Sequence, residues 1–134
     1  RDLRSVARAF EGSKVRVTAK VDPAAAWAMA ERGGGEHLVQ ASREALSNAV
    51  RHSGCQSVTL ALYLDESSVV LRITDDGRGF ASAPFAGHGL INLRARAESL
   101  GGTLHIASSP ESGTTVALSI PQVPVTEEPL RRRA

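Results

Sequence analysis

A chain of 134 residues, 42% of them hydrophobic and 22% charged, can bury one core without disulfide or metal staples and is too apolar to be disordered throughout. Its 16 basic and 14 acidic residues leave a net charge of +2, and with three Phe, one Trp and one Tyr it offers neither the basic field nor the stacking platform of a nucleic-acid binder. A single cysteine, Cys55, excludes an internal disulfide and fits a reducing cytosol, and no apolar run approaches the ~20 residues that span a bilayer.

Residues 1–10 carry Leu3, Val6 and Phe10 at helical spacing before Gly12, which reads as the frayed end of a helix entering from an upstream domain. Residues 14–21 alternate: Val15, Val17, Ala19 and Val21 face one way, Lys14, Arg16, Thr18 and Lys20 the other. That is a half-buried strand, stopped by Asp22-Pro23. Residues 24–31 suit a helical turn or two, and Gly33-Gly34-Gly35 reads as a flexible break.

The strongest helix spans residues 36–52. At about 100° per residue, Leu38, Ala41, Ala45, Leu46, Ala49 and Val50 share one arc, with Glu44, Asn48 and Arg51 opposite. Residues 57–64 and 68–74 are rich in Val, Leu, Ile and Tyr and joined by Asp65-Glu66-Ser67, so they form an antiparallel hairpin. Residues 75–89 are a glycine-rich loop. Residues 90–100 form a second helix with Leu90, Leu93, Ala97 and Leu100 on one face, closed by Gly101-Gly102. Strands follow at 103–107 and 114–120, around a turn at 108–113. The segment from Pro121, with its prolines and Arg131-Arg132-Arg133, is a flexible tail or outgoing linker. Strands neighbouring in sequence usually pair, and few helices remain to cover them. The expected class is therefore α+β: a two-layer sandwich, its mixed sheet backed by helices on one face.

Three constellations carry chemistry. Glu44 and Asn48 are four apart and project from one helix face, with Arg51 continuing the stripe and His52 at its edge. A carboxylate, an amide oxygen, a cation and an imidazole together suit a hydrated Mg²⁺ with phosphates, although a solvated Glu–Arg face reads the same by spacing alone. Asp75-Asp76-Gly77-Arg78-Gly79 follows a strand: the glycines permit close backbone approach, and an acid before them can accept from an exocyclic amine. Taken alone it is also an ordinary Asp-Gly turn. Gly87-His88-Gly89-Leu90 opens a helix, where free N–H groups make an anion site or simply a helix start. No G-x-x-x-x-G-K-[ST] exists, and Ser82 and Asn92 stand where a third glycine of G-x-G-x-x-G would be, so P-loop and Rossmann sites are unsupported.

The order of an E-x-x-x-N helix, a D-x-G-x-G after a strand and a G-x-G-L opening a helix resembles the GHKL ATPase superfamily, with its gyrase B, Hsp90, MutL and histidine-kinase members and its Bergerat fold. Gly113-Thr114 resembles the late Gly-Thr that supports the adenine. Within the superfamily, Asn48-x-x-Arg51-His52-Ser53, the run GHGLINLRARAESLGGTL and the short gap from Phe80 to Gly87 look most like sensor histidine kinases of the nitrate-sensor, DegS and DesK group.

That resemblance implies the following. Residues 13–121 would be the ATP-binding catalytic domain, residues 1–12 the remnant of a dimerisation and phosphoacceptor helix or a linker, and residues 122–134 a flexible tail. ATP and Mg²⁺ would be the cofactors. Asn48 would coordinate Mg²⁺, and Glu44 would orient a metal-bound water or assist proton removal. Arg51 and His52 would contact phosphates, Asp75 would take the adenine amine, and Gly77 and Gly79 would let the backbone close over the base. Gly87, His88, Gly89 and Leu90 would wrap the phosphates, and Thr114 would reach adenine through a water. The phosphoacceptor would be a histidine on a separate domain, since none of His37, His52, His88 and His105 sits in a phosphoacceptor pattern. A response regulator of the helix-turn-helix type would receive the phosphoryl group. The domain would be cytoplasmic and monomeric, with any membrane anchor of the full-length protein lying outside it. Two alternatives stay open: an anti-sigma-factor-type serine kinase of the same fold, and a non-catalytic nucleotide-binding module.

Overall fold

The structure is a computed structural model that describes residues 3–10, 15–31, 33–52, 56–77, 88–109 and 113–122. Five strands form one sheet in the order β1-β2-β3-β5-β4. They are β1 (Arg16–Val21), β2 (Ser57–Asp65), β3 (Ser68–Asp75), β4 (Thr103–Ser109) and β5 (Gly113–Pro121). β1 and β2 run parallel, and the other pairs are antiparallel. The sheet is thus mixed, as the sequence implies, but β3 pairs with β5 rather than with β4. The helices are α1 (Leu3–Ala9), α2 (Pro23–Glu31), α3 (Gly35–His52) and α4 (His88–Ser99).

Alternation along the strands sends one set of side chains under the helices. Val58, Leu60, Leu62, Leu71, Ile73, Val116, Leu118 and Ile120 are all buried. They meet Leu38, Ala41, Ala45, Leu46 and Ala49 of α3 and Leu93, Ala97 and Leu100 of α4. The other face carries the half-buried Thr59, Ala61 and Tyr63 and the exposed Arg72, whose guanidinium lies 5.6 Å from the centre of the Tyr63 ring. The result is two layers. Leu3, Val6 and Ala7 of α1 join the same core.

The glycine triplet is structured rather than a flexible break. Asp22 caps α2 by accepting from the Ala24 N–H at 3.0 Å, and Pro23 takes the first helical position, where no N–H is needed. At the other end, Gly33 N–H bonds Ala30 C=O at 3.0 Å and Gly34 N–H bonds Met29 C=O at 2.9 Å. This is a Schellman closure with Gly33 at φ 76°. Gly34 is buried, and a Cβ there would overlap the end of Met29. Gly101, also at φ 76°, closes α4 in the same way through Gly102 N–H to Ala97 C=O at 2.8 Å.

Candidate functional site

α3 lies across β2 and β3 with its apolar arc inward, and only residues 53–56 separate its end from Ser57, the first residue of β2. Ser57 C=O accepts from the Asp76 N–H at 3.3 Å. The last turns of α3 and the end of β3 therefore share one edge of the sheet. Glu44 and Asn48 are half-buried, not on a fully solvated face, because α4 packs beside α3.

At that edge Asp75 has the parity of Leu71 and Ile73, so its side chain turns under the helices, 5% exposed. Its Oδ1 accepts from the Gly77 N–H at 2.8 Å. Thr114 is its register partner on β5, 3% exposed, with its Oγ1 3.1 Å from Ser108 Oγ. Gly113 adopts φ 85°, and a Cβ there would overlap the Asp75 carbonyl oxygen. Only glycine suits both the left-handed backbone and that contact.

Asp76, one residue on, points the other way. Its Oδ1 accepts from the Gln56 N–H at 2.8 Å and the Ser57 N–H at 3.0 Å, and its Oδ2 from the Ser57 hydroxyl at 3.1 Å. The Ser57 N–H first, and the Gln56 N–H next, hold its carboxyl below the ordinary carboxylate range. Asp76 thus fastens the end of β3 to the start of β2. Sequence reasoning missed this role, although period-2 alternation already puts adjacent aspartates on opposite faces.

α4 leads through Gly102 into β4, whose Thr103 pairs with Ser119 at the end of the sheet away from Asp75. The helix therefore runs antiparallel to α3 with its N-terminus turned towards the Asp75 edge. His88, Gly89 and Leu90 form the first turn, where unpaired N–H groups favour anions. Arg51 and His52 are the last residues of α3. Gly79, Gly87 and Cys55 lie outside the described residues. A second residue that sequence reasoning missed is Arg96 of α4, whose Nε lies 3.7 Å from Glu44 Oε1.

A cavity of about 640 Å³ lies elsewhere, at the opposite end of α3, among Leu3, Val21, Trp27, Leu38 and Leu62. It shares no residue with the Asp75 edge. Among the described residues no three His, Cys, Asp or Glu side chains converge as a metal cluster. The donor that α3 offers is instead the half-buried amide of Asn48, which fits a magnesium ion held mainly by phosphate oxygens and water.

The described residues thus put a buried acid at a strand end, a backbone corner beside it and the start of a helix at the same end of an α+β sandwich. The model of the histidine kinase-, DNA gyrase B- and HSP90-like ATPases matches residues 33–124, and the chain belongs to that family. It is an ATP-binding domain of the kind sensor histidine kinases carry. The sensor protein VraS of Staphylococcus epidermidis is 42% identical over 88 residues, covering 64% of this chain and 25% of that protein. VraS of Staphylococcus aureus is 40% identical over the same shares. The chain spans about a quarter of the length of these relatives. Among solved structures, the ATP-binding domain of PrrB from Mycobacterium tuberculosis superposes with a TM-score of 0.67 at 23% identity, over 91% of this chain and 92% of that one. The blue-light activated histidine kinase of Erythrobacter litoralis gives 0.71 at 22%, over 90% and 40%. At such identities the likeness is one of fold. No helix among the described residues is long and apolar enough to cross a membrane.

Proposed function

We propose that this chain is the catalytic domain of a cytoplasmic sensor histidine kinase module, placing Mg-ATP so that its γ-phosphoryl group passes to a histidine on a separate dimerisation domain and then to a response regulator of the helix-turn-helix type. Residues 13–121 form the catalytic unit. Residues 1–12 would be the remnant of a dimerisation and phosphoacceptor helix or a linker, of which Leu3, Val6 and Ala7 join the core, and residues 122–134 the tail.

The observation that carries the reading is the buried carboxylate of Asp75. Its Oδ1 is fixed by the Gly77 N–H at 2.8 Å, which orients it to accept from the adenine amine. Thr114, its buried neighbour, reaches the base through a water. Gly77 and Gly79 let the backbone close over the ring. The first turn of α4, with Gly87, His88, Gly89 and Leu90, wraps the phosphates, and Arg51 and His52 contact them from the end of α3. Asn48 would hold magnesium, whose charge would offset that of the phosphates. Glu44, one turn before Asn48, orients a water or accepts the proton of the receiving imidazole. Phosphoryl transfer needs chiefly positioning and charge neutralisation, so the chain needs no covalent nucleophile of its own.

Calorimetry with ATP, with and without Mg²⁺, tests this. Asp75→Asn should weaken ATP binding by about 10- to 150-fold, the loss of a charge-assisted hydrogen bond of about 1.5–3 kcal/mol. The melting temperature without nucleotide should change little. Unchanged affinity would remove the adenine role from Asp75 and leave the base to be held by other groups. The nature of the phosphorylated product separates kinases of this fold: an acid-labile, base-stable adduct on the acceptor is phosphohistidine, and the reverse stability marks phosphoserine.

A further inference from the structure

We infer that Arg96 is a positioning residue for Glu44, fixing its carboxylate for phosphoryl transfer without taking part in nucleotide binding. The inference rests on the kinase reading above. Arg96 Nε and Glu44 Oε1 are 3.7 Å apart, and both atoms are buried with no hydrogen-bond partner. Each is therefore the only charged neighbour the other meets at ion-pair distance among the described residues. An exposed ion pair of this length would deserve little weight. Here the side chains are only 28% and 25% exposed, and the gap between α3 and α4 keeps water from the two facing atoms. Leaving either atom alone in that gap is costly.

Helical spacing puts Glu44 and Asn48 on the same side of α3, one turn apart. Arg96 faces one oxygen of Glu44 from α4 at 3.7 Å, while a quarter of the Glu44 side chain stays open. A group that must meet a water or an imidazole in the transition state needs this: one oxygen anchored, the carboxyl plane fixed, and the remainder reachable. Arg96 lies eight residues beyond His88 on α4, about two turns from the end assigned to phosphate. Leu93 and Ala97, its neighbours on α4, are fully buried, so the helix that carries it is held rigidly.

The test uses the full-length kinase. Arg96→Ala and Arg96→Leu should lower kcat for autophosphorylation about tenfold or more, the usual scale for a lost supporting partner, with KM for ATP and calorimetric affinity for a non-hydrolysable ATP analogue within about twofold of wild type. Arg96→Lys should restore most of the rate, because a cation returns to the gap. Wild-type kcat in Arg96→Ala would overturn the inference, as would a loss confined to KM or to analogue affinity. A drop equal in Arg96→Lys and Arg96→Leu would do the same. A wild-type protein that binds ATP but forms no phosphohistidine would overturn the kinase reading and this inference with it, a result distinct from any defect limited to Arg96 variants.

Discussion

At the scale of single residues, two neighbours do opposite work. Asp75 is turned inward and buried, while Asp76 faces out and ties the end of β3 to β2 through three hydrogen bonds. Because the carboxyl pKa of Asp76 is lowered on folding, its contribution is present above the unfolded pKa and disappears as pH falls through the folded one. Urea unfolding of Asp76→Ala against wild type should show a constant deficit above about pH 5 that shrinks towards zero in stronger acid. A deficit that ignored pH would mean the hydrogen bonds owe nothing to the charge. Gly113 belongs to the same scale. Gly113→Ala should cost at least about 1–2 kcal/mol for the left-handed backbone alone, with a further penalty as β5 is pushed off the Asp75 carbonyl. The urea midpoint should fall and ATP affinity should weaken with it, since Thr114 moves too.

At the scale of elements, α3 serves the core and the site together. Leu46 is fully buried two residues before Asn48. Leu46→Ala should destabilise by about 2–5 kcal/mol, measured by denaturant midpoint at unchanged slope. A smaller loss would mean that the sheet closes over the void. Much of this layer was legible in the chain. The 3.6 period of α3 and the alternation of β2 and β3 follow from burial on one side, and the four-residue spacing of Glu44 and Asn48 follows from helix geometry. α2 was harder. Its run of alanines has no clear polar face, and the cap at Gly33 is visible only once Ala30 and Met29 supply their carbonyls. Arg96 was hidden for a related reason: a cation on a helix looks solvated until the neighbouring helix is placed against it.

Across the whole molecule, what the sequence concealed is non-local. Local patterning implies that β4 and β5 form a hairpin, which they do, but nothing local says that β5 slides between β3 and β4. That insertion makes Thr114 the register partner of Asp75. The purine end of the proposed site is therefore assembled from strands far apart in the chain. The resemblance to the ATPase family named Asp75 and Thr114 without showing that they share one rung of the sheet. The fastening of Asp76 to Ser57 is non-local in the same sense, joining the end of β3 to the start of the strand that follows α3.

Because β5 lies between β3 and β4, a nascent chain leaving the ribosome carries β3 with one bare edge and β4 with no strand beside it until β5 emerges. Bare edges invite other chains, so translation passes through an adhesive interval that ends only when β5 inserts. The same insertion seats Gly113 and Thr114 beside Asp75, so the proposed purine contacts are completed only then. A product truncated before residue 113 would keep that adhesive edge.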